Sequence, residues 1–266
     1  MSVRPIDDVG LVPFGLGFER GLDTRSLCTR GVQMETLAGL GLPVATGLTV
    51  PVPNVPGLVT IDRAAAAINL LETISGRAVG STTPDEGIVL LRLSASAPVA
   101  AVGLPPDLVA IGVAGARIPT GLPAKMSADL TAAWWKTAGF IAEYSLGVPA
   151  DDIASLGLDH DDPADRIEPL LALCDATGIT PFPVDLSGQL AAGAAAMLAR
   201  WNSPRAARAR RTQQLPVDLP LALHIETVIV TDHHEAGHGH AISRDLKSGL
   251  FAPNGAFRHG VRSTGE

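Results

Sequence analysis

The chain has 266 residues, 46% of them hydrophobic but only 4% aromatic, and 20 Lys and Arg against 27 Asp and Glu leave a net charge of −7. So much apolar residue excludes global disorder, and the acidic balance argues against a general polyanion binder, so no nucleic-acid partner is expected. Cys28 and Cys174 stand alone without metal-ligand or disulfide spacing, MSVRPIDDVG lacks a signal-like pattern, and no apolar run reaches the ~18 residues of a membrane helix; the expectation is a soluble cytoplasmic protein with no membrane partner.

Residues 1 to 30 are rich in glycine, with Pro13, Gly15, Gly17 and Gly21, and read as loop and short strand. In "GVQMETLAGLGLPVATGLTVPV", Met34, Leu37 and Ala38 fall at helical spacing, Gly39 and Gly41 supply a stop, and Leu48-Thr49-Val50 resumes as extended chain. "IDRAAAAINLLETIS" over 61–75 reads as an amphipathic helix, and "GIVLLRLSA" from Gly87 as a buried strand whose apolar run does not alternate. Ser127 is placed to cap a helix that puts Leu130, Trp134, Ala138 and Ile141 on one core-facing side. Between Gly147 and Pro183, prolines and the acidic "DHDDPAD" mark a loop-rich connection around a short helix. Leu190, Ala194, Met197 and Trp201 define a further helix that breaks at "NSPRAARARR", where Ser203 can cap and Pro204 can open a new one. Arg205, Arg208 and Arg211 then share a solvated basic face, with no aromatic platform for nucleic acid. From Leu219, "LPLALHIETVIVTD" is strand-like, and no internal repeat is evident. The fold class is therefore α+β, a mixed α/β protein with its helices in the middle and strands towards both ends.

"TDHHEAGHGH" at 231–240 contains His234-Glu235-Ala236-Gly237-His238, the His-Glu-x-x-His pattern of zinc peptidases. That chemistry needs a helix, so that two histidines four apart share a face and the glutamate acts as general base. The β-branched run Ile225 to Thr231 precedes the motif, Gly237 and Gly239 interrupt it, and Ala241-Ile242-Ser243 looks extended. The stretch reads instead as a polar β-hairpin tip, with no zinc expected and a hydrolase acting through His234, Glu235 and His238 kept as a minor alternative.

Four stretches, in order, carry a resemblance: "LCTRGVQMETLAGLGLPVATGLTV", "LRLSASAPVAAVGLPPDLVAIGV", "ARWNSPRAARARR" and "ALHIETVIVTDHHEAGHGHAISRD". Together they resemble the N-terminal nucleotide-binding domain of the pyruvate phosphate dikinase and phosphoenolpyruvate synthase family, over roughly residues 8 to 262. The resemblance implies an ATP-grasp-like, two-lobed domain across 1–266: an N-terminal lobe (1–118), a mainly helical segment (119–218), and a C-terminal strand lobe (219–266) whose glycine-rich hairpin is a lid over nucleotide phosphates.

Carried over residue by residue, the likeness puts Arg30 at the family's phosphate-binding lysine, Glu226 at the glutamine of the adenine-side strand, Arg244 at the arginine after the lid, and Arg262 at a late arginine in "HGVRSTG". Arg30 keeps the charge with a different donor geometry, or is an ordinary exposed cation. Glu226 accepts hydrogen bonds but does not donate them when ionised. The family's Val-Arg-Ser-Gly arginine falls on Ser94, which removes a charge, although Arg92 lies two residues away on the same strand face. No acidic residue occurs between Asp245 and Glu266, where the family has magnesium-holding carboxylates. These departures imply a free-standing domain that binds ATP or another adenine nucleotide weakly, with little call for magnesium, no catalytic residues of its own, and a regulatory or accessory role. The alternative is an active half of a split dikinase, working with a separate phosphohistidine and pyruvate-binding partner.

Overall fold

The computed structural model describes residues 10–14, 24–80, 82–83, 87–113, 122, 124–159, 163–177, 180–230, 237–244 and 250–259. In chain order the elements are β1 (Val12–Phe14), α1 (Thr24–Gly39), β2 (Gly47–Val50), α2 (Val55–Leu58), α3 (Ile61–Ser75), β3 (Thr82–Thr83), β4 (Gly87–Ser96) and β5 (Leu108–Ile111). There follow α4 (Ala124–Ile141), α5 (Ala150–Asp159), α6 (Ile167–Ala176), α7 (Leu186–Trp201), α8 (Pro204–Thr212), β6 (Ala222–Val230), β7 (Gly237–Arg244) and β8 (Phe251–His259). The protein is thus mixed α and β, with the helices concentrated in the middle of the chain. Among the described residues no helix is long and apolar enough to cross a membrane.

Where end signals are local, the helices stop and start as the sequence reads. Gly76 closes α3 at φ 67°, a left-handed conformation that glycine adopts without strain, and its N–H reaches Glu72 O at 2.9 Å. Ser203 accepts from the Ala206 N–H at 3.3 Å and Pro204 opens α8. Other boundaries differ. Helix α1 begins at Thr24, inside the stretch expected to be loop, and is broken at Cys28 (φ 56°, ψ −173°). Helix α4 begins at Ala124, so Ser127 lies within its first turn and its carbonyl accepts from the Thr131 hydroxyl at 2.7 Å. The 147–183 connection holds two helices, α5 and α6, because Pro149 precedes the first and Pro169 sits in the opening turn of the second, where its missing N–H costs little.

Strands run in the order β1-β2-β6-β4-β3, with β5 also paired to β4, and every pairing is antiparallel. Strand β6, from the C-terminal part of the chain, lies between β2 and β4. One sheet face is apolar: Leu48, Val50, Leu91, Leu93, Leu223 and Ile225 pack into a core shared with α3, α4 and α7. A Cβ on Gly193 of α7 would stand 3.2 Å from Leu108 Cδ1 and 3.5 Å from Leu93 Cδ2, so glycine there lets α7 lie close on the sheet. Trp134 meets Phe182 edge-on at 5.7 Å, and small alanines fill much of the remaining space.

The turn after α8 is closed by a buried arginine. Arg210, 1% exposed, donates from Nη1 to Trp201 O at 2.8 Å and from Nε and Nη2 to Val217 O at 3.1 and 2.7 Å. Its guanidinium lies 4.0 Å from the centre of the Trp201 ring, while Trp201 Nε1 donates to Leu219 O at 2.9 Å. Two carbonyls of the irregular connection and the last carbonyl of α7 are satisfied in this way, and the chain is delivered into β6.

Strands β7 and β8 form a separate two-stranded antiparallel sheet. Among the described residues β7 pairs with β8 and not with β6, and residues 231–236 of the expected hairpin tip lie outside them. His238 is on a strand and not on a helix. His234 and Glu235 lie outside the described residues.

Candidate functional site

The second face of the sheet is polar, and its composition follows from strand periodicity. Side chains two apart share a face, so Arg92, Ser94 and Ser96 of β4 line up with His224 and Glu226 of β6 and with Thr49 of β2. The register places Arg92 opposite Glu226, Ser94 opposite His224, and Thr49 opposite His224 on the other side. The second half of β4 therefore does alternate, contrary to the reading of an unbroken apolar run. It is nevertheless buried, because α1 covers the polar side.

Helix α1 is held there by the break at Cys28. Beyond that residue the helix restarts, and its first amides are taken up by the end of β4: Thr29 N–H donates to Ala97 O at 3.1 Å and Arg30 N–H to Ser96 Oγ at 3.3 Å. Gly31 permits the approach, since a Cβ there would lie 3.0 Å from Thr49 Oγ1 and 3.3 Å from His224 Cε1. Burial pushes the Cys28 thiol above its ordinary range, with a backbone hydrogen bond from Ala222 opposing.

At the closed end of this layer stands His224, 0% exposed. Its Nδ1 is 3.1 Å from Thr49 Oγ1 and its Nε2 is 2.8 Å from Ser96 Oγ. Burial, reinforced by the nearby Arg30 charge, brings its pKa down to about 3. A histidine so poised is neutral at any ordinary pH and a poor base. The Ser96–His224 pair is therefore a sealed hydrogen bond and not a nucleophile with its activator.

Two residues further along β6, the layer opens. Glu226, 4% exposed, accepts from Arg30 Nε at 2.7 Å and meets Arg30 Nη2 at 2.5 Å, and its other oxygen is 3.8 Å from Arg92 Nη1. Arg92 also pairs with Asp107 just before β5. The side chains of Arg30 and Arg92 are 25% and 26% exposed, so both are part-exposed beside a buried carboxylate. Ser94 Oγ and Arg92 Nε are buried without a hydrogen-bond partner.

Of the residues carried over from the resemblance, Arg30 and Glu226 are thus brought into direct contact from positions 196 apart. The backbone of Arg244 ends β7, paired with Phe251, and its side chain lies outside the described ones. Arg262 lies outside the described residues altogether. Sequence reasoning passed over His224, Thr49, Ser96 and Asp107; the signal was present as polar residues at every second position, Arg92-x-Ser94-x-Ser96 and His224-x-Glu226, inside otherwise apolar strands.

The donor set fits an anion better than a divalent cation. Glu226 and Asp107, the carboxylates at this site among the described residues, are each engaged by a guanidinium. Among the described residues no group of three or more His, Cys, Asp and Glu could hold a metal ion. No family model matches the chain, and comparison with curated proteins gives no significant match.

Proposed function

We propose that the protein contains a nucleotide-binding domain of the plan it resembles, ATP-grasp-like and related to the N-terminal domain of the pyruvate phosphate dikinase family, with a degenerate phosphotransfer site. It holds nucleotide weakly in a regulatory or accessory role. The observation that carries this reading is the convergence of Arg30 from α1, Arg92 from β4 and Glu226 from β6 at the open end of one buried polar layer. Two of the four positions that the resemblance assigns to the nucleotide site, Arg30 and Glu226, are neighbours in space, which supports the reading.

Two part-exposed arginine side chains carry planar, charge-assisted donors suited to phosphate oxygens. Glu226 orients both from beneath. Phosphoryl transfer asks for more than this: cations on the transferring group and carboxylates that hold magnesium. Ser94, 1% exposed and uncharged, stands where the resemblance expects an arginine. The protein therefore binds phosphate without moving it, and transfer to an isolated phosphohistidine domain stays close to background.

Calorimetric titration with ATP, ADP and AMP, with and without magnesium, tests the proposal. The expected result is millimolar or somewhat tighter binding that strengthens with phosphate number and changes little with magnesium. Arg30→Ala should weaken it by roughly 1.5 to 3 kcal/mol, the scale of hydrogen bonds to charged groups. No ATP binding at millimolar concentration would overturn the nucleotide reading, and robust labelling of a phosphohistidine domain from radiolabelled ATP would replace it with the split-enzyme alternative.

A further inference from the structure

We infer that Glu226 is an internal counter-anion that holds the phosphate subsite in a self-neutralised, low-affinity state. The inference rests on the nucleotide reading above and deepens it by naming what limits affinity. Four charged groups form one chain, Asp107–Arg92–Glu226–Arg30, in which two cations are matched by two anions. An anion arriving from solvent meets guanidiniums whose charge is already cancelled. Some of their best-aligned donors are already engaged, since Arg30 Nε and Nη2 both point at Glu226 Oε1. Glu226 cannot easily turn away to make room: its side chain is 6% exposed, and the neighbouring position on the strand face is the sealed His224 cluster.

The geometry also explains why the carboxylate tolerates burial. A lone buried carboxylate is strongly disfavoured, whereas one shared by two guanidiniums is compensated. The carboxylate thus occupies, from within the protein, the place that an external oxyanion would take between Arg30 and Arg92. Glutamine at the same position would keep the shape and one acceptor, remove the charge, and release both cations to an incoming phosphate.

The test compares the parent protein with Glu226→Gln, titrated with inorganic tripolyphosphate and with ATP. The variant should bind both roughly ten- to a hundredfold more tightly, the range expected when charge-assisted hydrogen bonds become available. Arg30→Ala added to Glu226→Gln should abolish the gain. Equal or weaker binding by a variant with the parent's circular dichroism would overturn the inference while leaving the nucleotide reading intact wherever the parent binds ATP. A gain for tripolyphosphate with no preference for ATP would support the counter-anion and sink the nucleotide reading. A measurement on the parent protein guards against a variant that fails to fold: the Arg30 Nε–Hε resonance should shift on adding tripolyphosphate, as the external anion competes with Glu226 for the guanidinium. If the resonance does not move at saturating concentration, the inference fails.

Discussion

His224 makes the stability of the protein depend on pH in a way that can be worked out from its surroundings. The ring is fully buried between two hydroxyls and beside a cation, and its pKa falls from 6.5 in the ordinary case to about 3. The folded state therefore refuses a proton that the unfolded chain accepts at any pH below 6.5. Between pH 6.5 and 3 the unfolded state binds more protons, so the contribution of this residue is fully present above 6.5 and is lost as pH falls. At pH 5 the window has been entered by 1.5 pH units, which at about 1.36 kcal/mol per unit amounts to a loss of about 2 kcal/mol relative to pH 7.

Urea denaturation at pH 7 and pH 5, for the parent protein and for His224→Asn, isolates this contribution. Carboxylates and the other histidines titrate in both proteins and cancel in the difference. The parent should lose about 2 kcal/mol more than the variant on going to pH 5, whatever the variant's stability at pH 7. Equal losses would refute the reasoning, because His224 would then be taking up a proton in the folded state as readily as in the unfolded one.

Two further predictions concern single buried groups. Arg210→Lys cannot reach Trp201 O and Val217 O with one planar fork, and should cost about 2 to 4 kcal/mol in chemical denaturation; a loss no larger than that of Arg205→Lys on the exposed face would show that the fork is dispensable. Ser94→Ala removes a buried hydroxyl that has no partner and should leave stability unchanged or raise it by up to about 1 kcal/mol, and a clear loss would mean that the hydroxyl is satisfied in solution.

The sequence reports local chemistry well and tertiary chemistry poorly, and individual elements show where the line falls. Helix α3 and the start of α8 were legible because Gly76, Ser203 and Pro204 act on their own neighbours. The start of α1 was not, because the helix beyond Cys28 is fastened by Ala97 O and Ser96 Oγ, some seventy residues away in the chain. Helices α5 and α6 were obscured by prolines that the sequence presents as breakers and the fold uses as openings. In β4 the residues Arg92, Ser94 and Ser96 announced a polar face by their spacing, but only the cover provided by α1 makes that face an interior one. The pairing of Arg30 with Glu226 carries no local signal at all; the placing of β6 between β2 and β4 and the packing of α1 on that face bring them within bonding distance.

A buried polar layer against a helix is costly unless something is gained from it, and the two ends of this layer gain different things. At the closed end, Thr49, His224 and Ser96 satisfy one another with no access to solvent, so their effect is on register: a one-residue slip of β6 would drive His224 and Glu226 into the apolar face beside Leu93 and Leu48. At the open end, that argument is weaker. Buried ion pairs contribute little net stability, and a well-packed apolar pair often does as well; register is already fixed by His224. Two arginine side chains held a quarter exposed beside a single carboxylate are therefore more than the fold requires. Substitution should separate the two ends: changes at Thr49 should act on folding stability and leave the proposed phosphate affinity alone, and changes at Arg30, Arg92 or Glu226 should act on that affinity in a folded protein.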